Sequence, residues 1–280
     1  MEKDLTLLSP YSWHNWQKKS AKYFEVVKIS FLEEIVYPLN LVTDGIVIFI
    51  NIWIYLLLYK TGFALTDSTS VNGLTIPMVI WILTLAKALQ ESRITAPSIS
   101  ESIQDGTFVY KISRPYSFVT FSLFRSLGQT LPYLISNILI SIIFCLVIIG
   151  PIGISFISLL SGCLLFFFGF MIDFYISMMI GLAGLWIEKT ESLWWLYSKL
   201  KLTLGGVIIP IAFLPGMLQK IADYLPFSQI FYAPIHIIFQ FNIGLFSQYF
   251  LTECFWVLIL GLGSVLTLKK GMKYVASNGG

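Results

Sequence analysis

Pro97-Ser-Ile-Ser-Glu-Ser-Ile-Gln-Asp-Gly-Thr-Phe-Val-Tyr-Lys-Ile-Ser-Arg-Pro115 is a polar stretch set between two long apolar runs. Its first half carries the signals of a short helix over 98–106. Ser98 suits the N-cap, and Glu101, three residues on, completes a capping box. Ile99 and Ile103 lie four apart and share one face as a small apolar ridge. Ser102 and Asp105 fall on the polar side, and Gly106 is the stop, since left-handed backbone costs glycine nothing. Lys111 and Arg114 then lead the chain back toward the next apolar run. A capped helix with an apolar ridge, hung beneath a membrane bundle, predicts a peg on which a soluble partner docks.

Outward from that stretch the chain is apolar. Of 280 residues, 56% are hydrophobic and 12% charged, with mean hydropathy +0.80. Soluble domains carry about a quarter charged residues, so the composition is that of an integral membrane protein. The first apolar run begins near Leu39, after a long basic and aromatic segment, so no secretory signal peptide is expected. Six runs are long enough for a hydrocarbon core of about 30 Å. They fall at about 39–59, 74–94, 116–149, 152–187, 193–213 and 249–268. The expected fold is therefore all-α, with spans one to five within 39–213 and span six at 249–268.

With the N-terminus placed in the cytosol, fifteen Lys and Arg fall inside, against Lys60 and Lys220 outside and Lys87 within a span. That asymmetry orients both termini to the cytosol. Between 12 and 35, Trp13, Trp16, Tyr23, Val27, Phe31 and Ile35 recur at helical spacing, with Lys18, Lys22 and Glu25 set apart from them. This is the pattern of an amphipathic helix in the headgroup layer; a helix packed on the bundle is the alternative. The third run would reach some 50 Å as one helix, at about 1.5 Å per residue. Arg125 is thus expected at or below the cytosolic surface. Between 214 and 247, Leu214-Pro-Gly216, Pro226 and Pro234 interrupt the chain around an amphipathic segment. That predicts an outer hairpin dipping into the membrane, tolerated only where protein or water satisfies its backbone.

Candidate chemistry is sparse. Lys87 and Glu91, spaced i,i+4 near the cytosolic end of the second run, can pair on one helix face as a structural pair, with polar residues of a transport path as the alternative. Asp173 is the most isolated charge, with no Lys or Arg within a helical turn. It is read as an interior structural polar group, protonated or bonded to a neighbouring helix, with a place lining a substrate path as the alternative. There is no G-x-x-x-x-G-K-[ST], no G-x-S-x-G and no H-E-x-x-H. Only His14 and His236 are available for acid–base or metal work, and Cys145, Cys163 and Cys254 lie in apolar runs without C-x-x-C spacing. No catalytic residue, cofactor or metal site is expected, and no basic patch points to nucleic acid.

Ile99-Ser-Glu-Ser-Ile-Gln-Asp-Gly106 followed by Lys111-Ile-Ser-Arg-Pro115 resembles the cytosolic loop of type II ATP-binding-cassette (ABC) exporter permeases. Phe213-Leu-Pro-Gly216, Leu225-Pro-Phe227 and Phe231-Tyr-Ala-Pro234 look like the re-entrant helices that precede the last span in that family. The resemblance implies an elbow helix at 12–35, a coupling helix at 98–106 and an outer re-entrant segment at 214–247. It also implies a permease dimer, homomeric or of two related chains, exporting a substrate through the plasma membrane. A separate ATPase would dock on Ser98 to Gly106 with Lys111 and Arg114 alongside, and would bind the ATP and Mg. Two other readings stay open at this point: an ion-driven secondary transporter, for which no internal repeat is seen between 39–149 and 152–268, and a non-transporting membrane scaffold.

Overall fold

In a computed structural model the chain is described over residues 10–36, 38–65, 70–71, 74–90 and 95–278. The elements are α1 (Pro10–Ile35), α2 (Pro38–Leu65), a two-residue hairpin of β1 (Ser70–Val71) and β2 (Leu74–Thr75), and α3 (Ile76–Gln90). There follow α4 (Thr95–Gln104), α5 (Phe108–Ile112), α6 (Phe118–Ile148), α7 (Phe156–Leu182) and α8 (Glu191–Leu204). The last are α9 (Gly216–Tyr224), α10 (Pro226–Phe239) and α11 (Ile243–Asn278). Among the described residues, four helical stretches are long and apolar enough to cross a membrane: Thr43–Gly62, Phe118–Ile148, Phe156–Leu185 and Ile243–Val275. Their outward faces are apolar, as a surface solvated by lipid tails requires.

Everything is arranged about α7. Along its first half it receives α10, and along its length α11; its C-terminal end rests on α4. Glycine sets the distance on the α10 side: a Cβ on Gly169 would stand 2.7 Å from the Gln229 carbonyl oxygen, and one on Gly162 would collide with Ile238. Small residues at such a seam let two helices meet at backbone distance. The α4 side is made the same way, since a Cβ on Gly181 would stand 2.9 Å from the Ala96 carbonyl oxygen. A second group, α2, α3 and α6, packs around Ile48, Ile52, Ile80, Trp81 and Cys145. The Trp81 indole Nε1 donates to the Gly150 carbonyl oxygen at 3.2 Å, tying α3 to the turn between α6 and α7.

One expectation changes. The apolar run at 193–213 is not one helix: α8 stops at Leu204, where Gly205-Gly206 follows with Gly206 at φ +75°, and Pro210 then blocks resumption. Hydropathy registers the run, but the backbone turns inside it. The segment from 214 does form two helices, α9 and α10, meeting at Leu225-Pro226, where proline occupies the first helical position. Of these α10 is almost wholly buried, enclosed by α7, α3 and α11. The amphipathic N-terminal helix begins at Pro10, and its described side chains lie along α6. There Tyr23 stacks on Phe124 at 4.9 Å, and Ser30 is buried close to Gly128.

Candidate functional site

The polar stretch folds as a platform under α7. Its helix begins at Thr95 and ends at Gln104, so Ser98 lies in the first turn, not at the cap, and the expected range 98–106 shifts toward the N-terminus. Pro97 is tolerated there because first-turn amides have no intrahelical partner. The stop is as expected: Gly106 has φ +76°, and its amide reaches the Ile103 carbonyl at 3.2 Å. Asp105 closes the loop beside it, accepting from the Thr107 hydroxyl at 2.7 Å and the Thr107 amide at 2.9 Å. Those two bonds, the hydroxyl's first, hold its carboxyl below the usual aspartate range.

The ridge faces the opposite way from the expectation. Ile99 is 4% exposed and packs with Phe108, Phe118, Met178, Leu182 and Leu185, while Ile103 is half-buried against the same cluster. Periodicity had shown that the two share a face, but it could not say that their own α7 covers it. Ser102 is also inward, its hydroxyl donating to the Ile99 carbonyl at 2.8 Å. Pro97, Ser98, Glu101, Gln104, Asp105 and Gly106 form the open face. Beside them α5 presents Val109 and Tyr110, 58% and 73% exposed, an apolar edge that the sequence reading passed over. The only signal for them is two apolar residues directly after Phe108 in a loop otherwise polar.

From above, the platform is held by α7 and α8. The Thr190 hydroxyl donates to Ser100 Oγ at 2.8 Å, and Gln104 Nε2 donates to the Glu188 carbonyl oxygen at 2.8 Å. About three turns further along α8 comes the buried charge. Lys201 Nζ lies 3.1 Å from both carboxylate oxygens of Asp173, and the Tyr197 hydroxyl donates to Oδ1 of the same group. Asp173 and Lys201 are 5% and 3% exposed. The ammonium also sits over the Tyr197, Phe231 and Trp194 rings, at 5.4, 5.7 and 5.8 Å from their centroids. Asp173 thus has its cation on the following helix, 28 residues away in sequence. Lys201, counted with the cytosolic charges, is inside the bundle.

Other candidates fall elsewhere. Lys87 is half-buried and donates to Gln90 Oε1 at 3.0 Å, while Glu91 lies outside the described residues, as do the residues flanking it at 92–94. His236 contacts the Tyr249 hydroxyl at 3.0 Å and Gln240 Oε1 at 3.2 Å, a polar contact inside the α10–α11 seam. Glu253 is a residue of α11 that no sequence motif singles out. It is fully buried, and neither of its oxygens has a hydrogen-bond partner among the described residues. Arg114 and Lys111 do not join the α4 open face. Arg114 Nη1 donates to the Tyr116 hydroxyl at 3.2 Å, and both cations turn toward α6 and α1, where they line a cavity of about 350 Å³.

A family model described as ABC-2 family transporter protein matches residues 46–279. No curated protein matches the chain.

Proposed function

The chain belongs to the ABC-2 transporter family, as a multi-pass membrane permease, and on that premise we propose that it is driven by a separate ABC ATPase docked beneath α4. The observation that carries this reading is the platform's two-sidedness. Its upper face is locked to α7 through the Gly181 contact and to the turn before α8 through side-chain hydrogen bonds, while its lower face is left open. A push on such a part is delivered to the spans, because packed helices have discrete arrangements and do not bend continuously. The docking surface is Glu101, Gln104 and Asp105 with the apolar edge of Val109 and Tyr110. Ile99, Ser102 and Ile103 act behind it, as the joint to the bundle.

The ATP and Mg would be held by the partner, since this sequence has no phosphate-cradling loop of its own. Two permeases would face each other across a pathway, and transport would run outward, with both termini in the cytosol. The α9–α10 pair, entered and left through prolines, would form the re-entrant cap of that pathway. The Asp173–Lys201 pair is assigned as a fastener between α7 and α8 and not as a contact for cargo, because every polar atom of the carboxylate is engaged from within the chain.

The test is copurification with a candidate ABC ATPase, comparing the wild type with Glu101→Arg/Tyr110→Asp. Both substitutions are on the open face, so the bundle should elute unchanged while the ATPase is lost. Undiminished retention of the ATPase by the double variant contradicts the assignment. Ile103→Asp is a poorer probe, since it would place a charge against the core of the platform.

A further inference from the structure

The two cations that leave the docking face have a place of their own. The cavity of about 350 Å³ lies where α1, α4, α5 and α6 converge, and Lys111, Arg114 and Arg125 all open into it. The one acid in its wall is Glu34, already engaged by Gln129 Nε2 at 3.3 Å and by the Tyr133 hydroxyl at 3.0 Å. Glu33 approaches Arg125 only to 3.9 Å, with both side chains about half exposed, which is a weak pair. Burial, and then the nearby charge of Arg125, lower the Lys111 pKa against the opposing pull of Asp105 and Glu101. Among the described residues the wall thus gathers three cations against the one carboxylate of Glu34.

A second cavity of about 450 Å³ adjoins it, sharing Tyr116 and Phe121 as a common wall. Those two rings stack at 4.6 Å, and Lys22 and Val26 of α1 close the far side. Next to it α1 exposes Phe24, Ile29 and Leu32, and the apolar face of α6 begins. A basic cup opening onto an aromatic slot, beside an apolar helix face, suits a molecule with an anionic head and an apolar body. We propose that Lys111, Arg114 and Arg125 bind the phosphate of an anionic phospholipid whose chain leaves along Tyr116 and Phe121, between α1 and α6. Basic pockets between helices at the membrane surface hold anionic headgroups by this means, and Arg supplies paired donors for phosphate. The site wedges the N-terminal helix, α4 and α6 together, so the lipid would brace the platform from the side. It is separate from the face below α4 and does not need the ATPase to be present.

The experiment is native mass spectrometry of the full chain in detergent, titrated with phosphatidylglycerol, phosphatidylcholine or inorganic phosphate. Wild type should retain phosphatidylglycerol well above phosphatidylcholine. Lys111→Gln/Arg125→Gln should weaken phosphatidylglycerol by about tenfold or more, as loss of charge-assisted bonds predicts. Lys199→Gln, a cation on exposed α8 surface, should leave the titration unchanged. Arg114→Gln alone serves as a milder variant should the double variant fail to fold, and it should give a partial loss. Equal binding of the two lipids, or equal loss in Lys199→Gln, overturns the site. Protection by inorganic phosphate as strong as that by phosphatidylglycerol overturns the lipid assignment in favour of a free anion.

Discussion

The two ends of α7 are packed by different means. At the α4 end, the Gly181 contact is overlaid with directional bonds, Thr190 to Ser100 and Gln104 to Glu188, and in mid-helix Tyr197 and Lys201 bond Asp173 beside Phe231 of α10. At the α10 end the glycines Gly162 and Gly169 bring backbones together through apolar surface, and polar atoms are left over. Gln229 Oε1 and both oxygens of Glu253 are buried there without a partner among the described residues. A seam of specific polar bonds has one good register, because slipping it would strand buried charges. A seam held by shape can shift at the cost of dispersion alone. If an ATPase docks beneath α4 as proposed, the α4 end would pass its force on, and the α10 end would be where rearrangement costs least.

The largest test of this contrast is Lys201→Met. It strands Asp173 in the interior and should cost about 3–5 kcal/mol, read as a fall in the unfolding midpoint of the purified protein. Asp173→Asn/Lys201→Met should recover much of that loss. If the double variant is as unstable as the single one, the pair does not act as a fastener. On the dry seam, Gly169→Val should cost about 1–3 kcal/mol through overpacking, because the nearest atoms are backbone, at 2.7 Å (Gln229 O) and 3.1 Å (Ile230). Gly153→Ala, where a Cβ meets nothing within 4 Å, is its control. Equal tolerance at both positions would mean that α10 is not seated against α7 as described.

Glu253→Gln sharpens the contrast from the other side. No bond is lost, so stability should stay within about 0.5 kcal/mol of wild type or rise. A large loss would reveal a partner for the carboxylate and erase the distinction from Asp173. The smallest effect is at the exposed loop. The Asp105 pKa is lowered in the folded chain, so its contribution is complete above the unfolded value and is lost as pH falls through the lower folded one. With an ordinary aspartate near about 3.9, the 105–107 turn should be ordered at neutral pH and loosen only in acid below that value. Hydroxyl-radical footprinting of Val109 and Tyr110 across that range reads the change, and Asp105→Asn should flatten it.

Much of the architecture is legible in the sequence because it depends on local rules. Gly106 ends a polar helix, Leu225-Pro226 starts a buried apolar one, and long apolar runs become α2, α6, α7 and α11. The failures have a common origin in neighbours distant along the chain. Ile99 and Ile103 share a face by spacing, but what covers that face is Gly181 and Leu182, some eighty residues later. Asp173 looked isolated because its partner lies on the next helix, past the end of its own. The run at 193–213 has the hydropathy of a span, yet Gly206 turns the backbone within it. Lys111 and Arg114 sit beside the platform in sequence, and in space they line a cavity at its side instead of its open face.

The central claim is that an ATPase pushes on the underside of α4. A photo-crosslinking amino acid at Glu101, with the ABC ATPase coexpressed, tests it most directly, with the same probe at Phe156 on the far end of α7 as reference. An ATPase adduct at Glu101, absent at Phe156, is the expected result. No adduct at Glu101, or adducts of equal yield at both positions, contradicts the account.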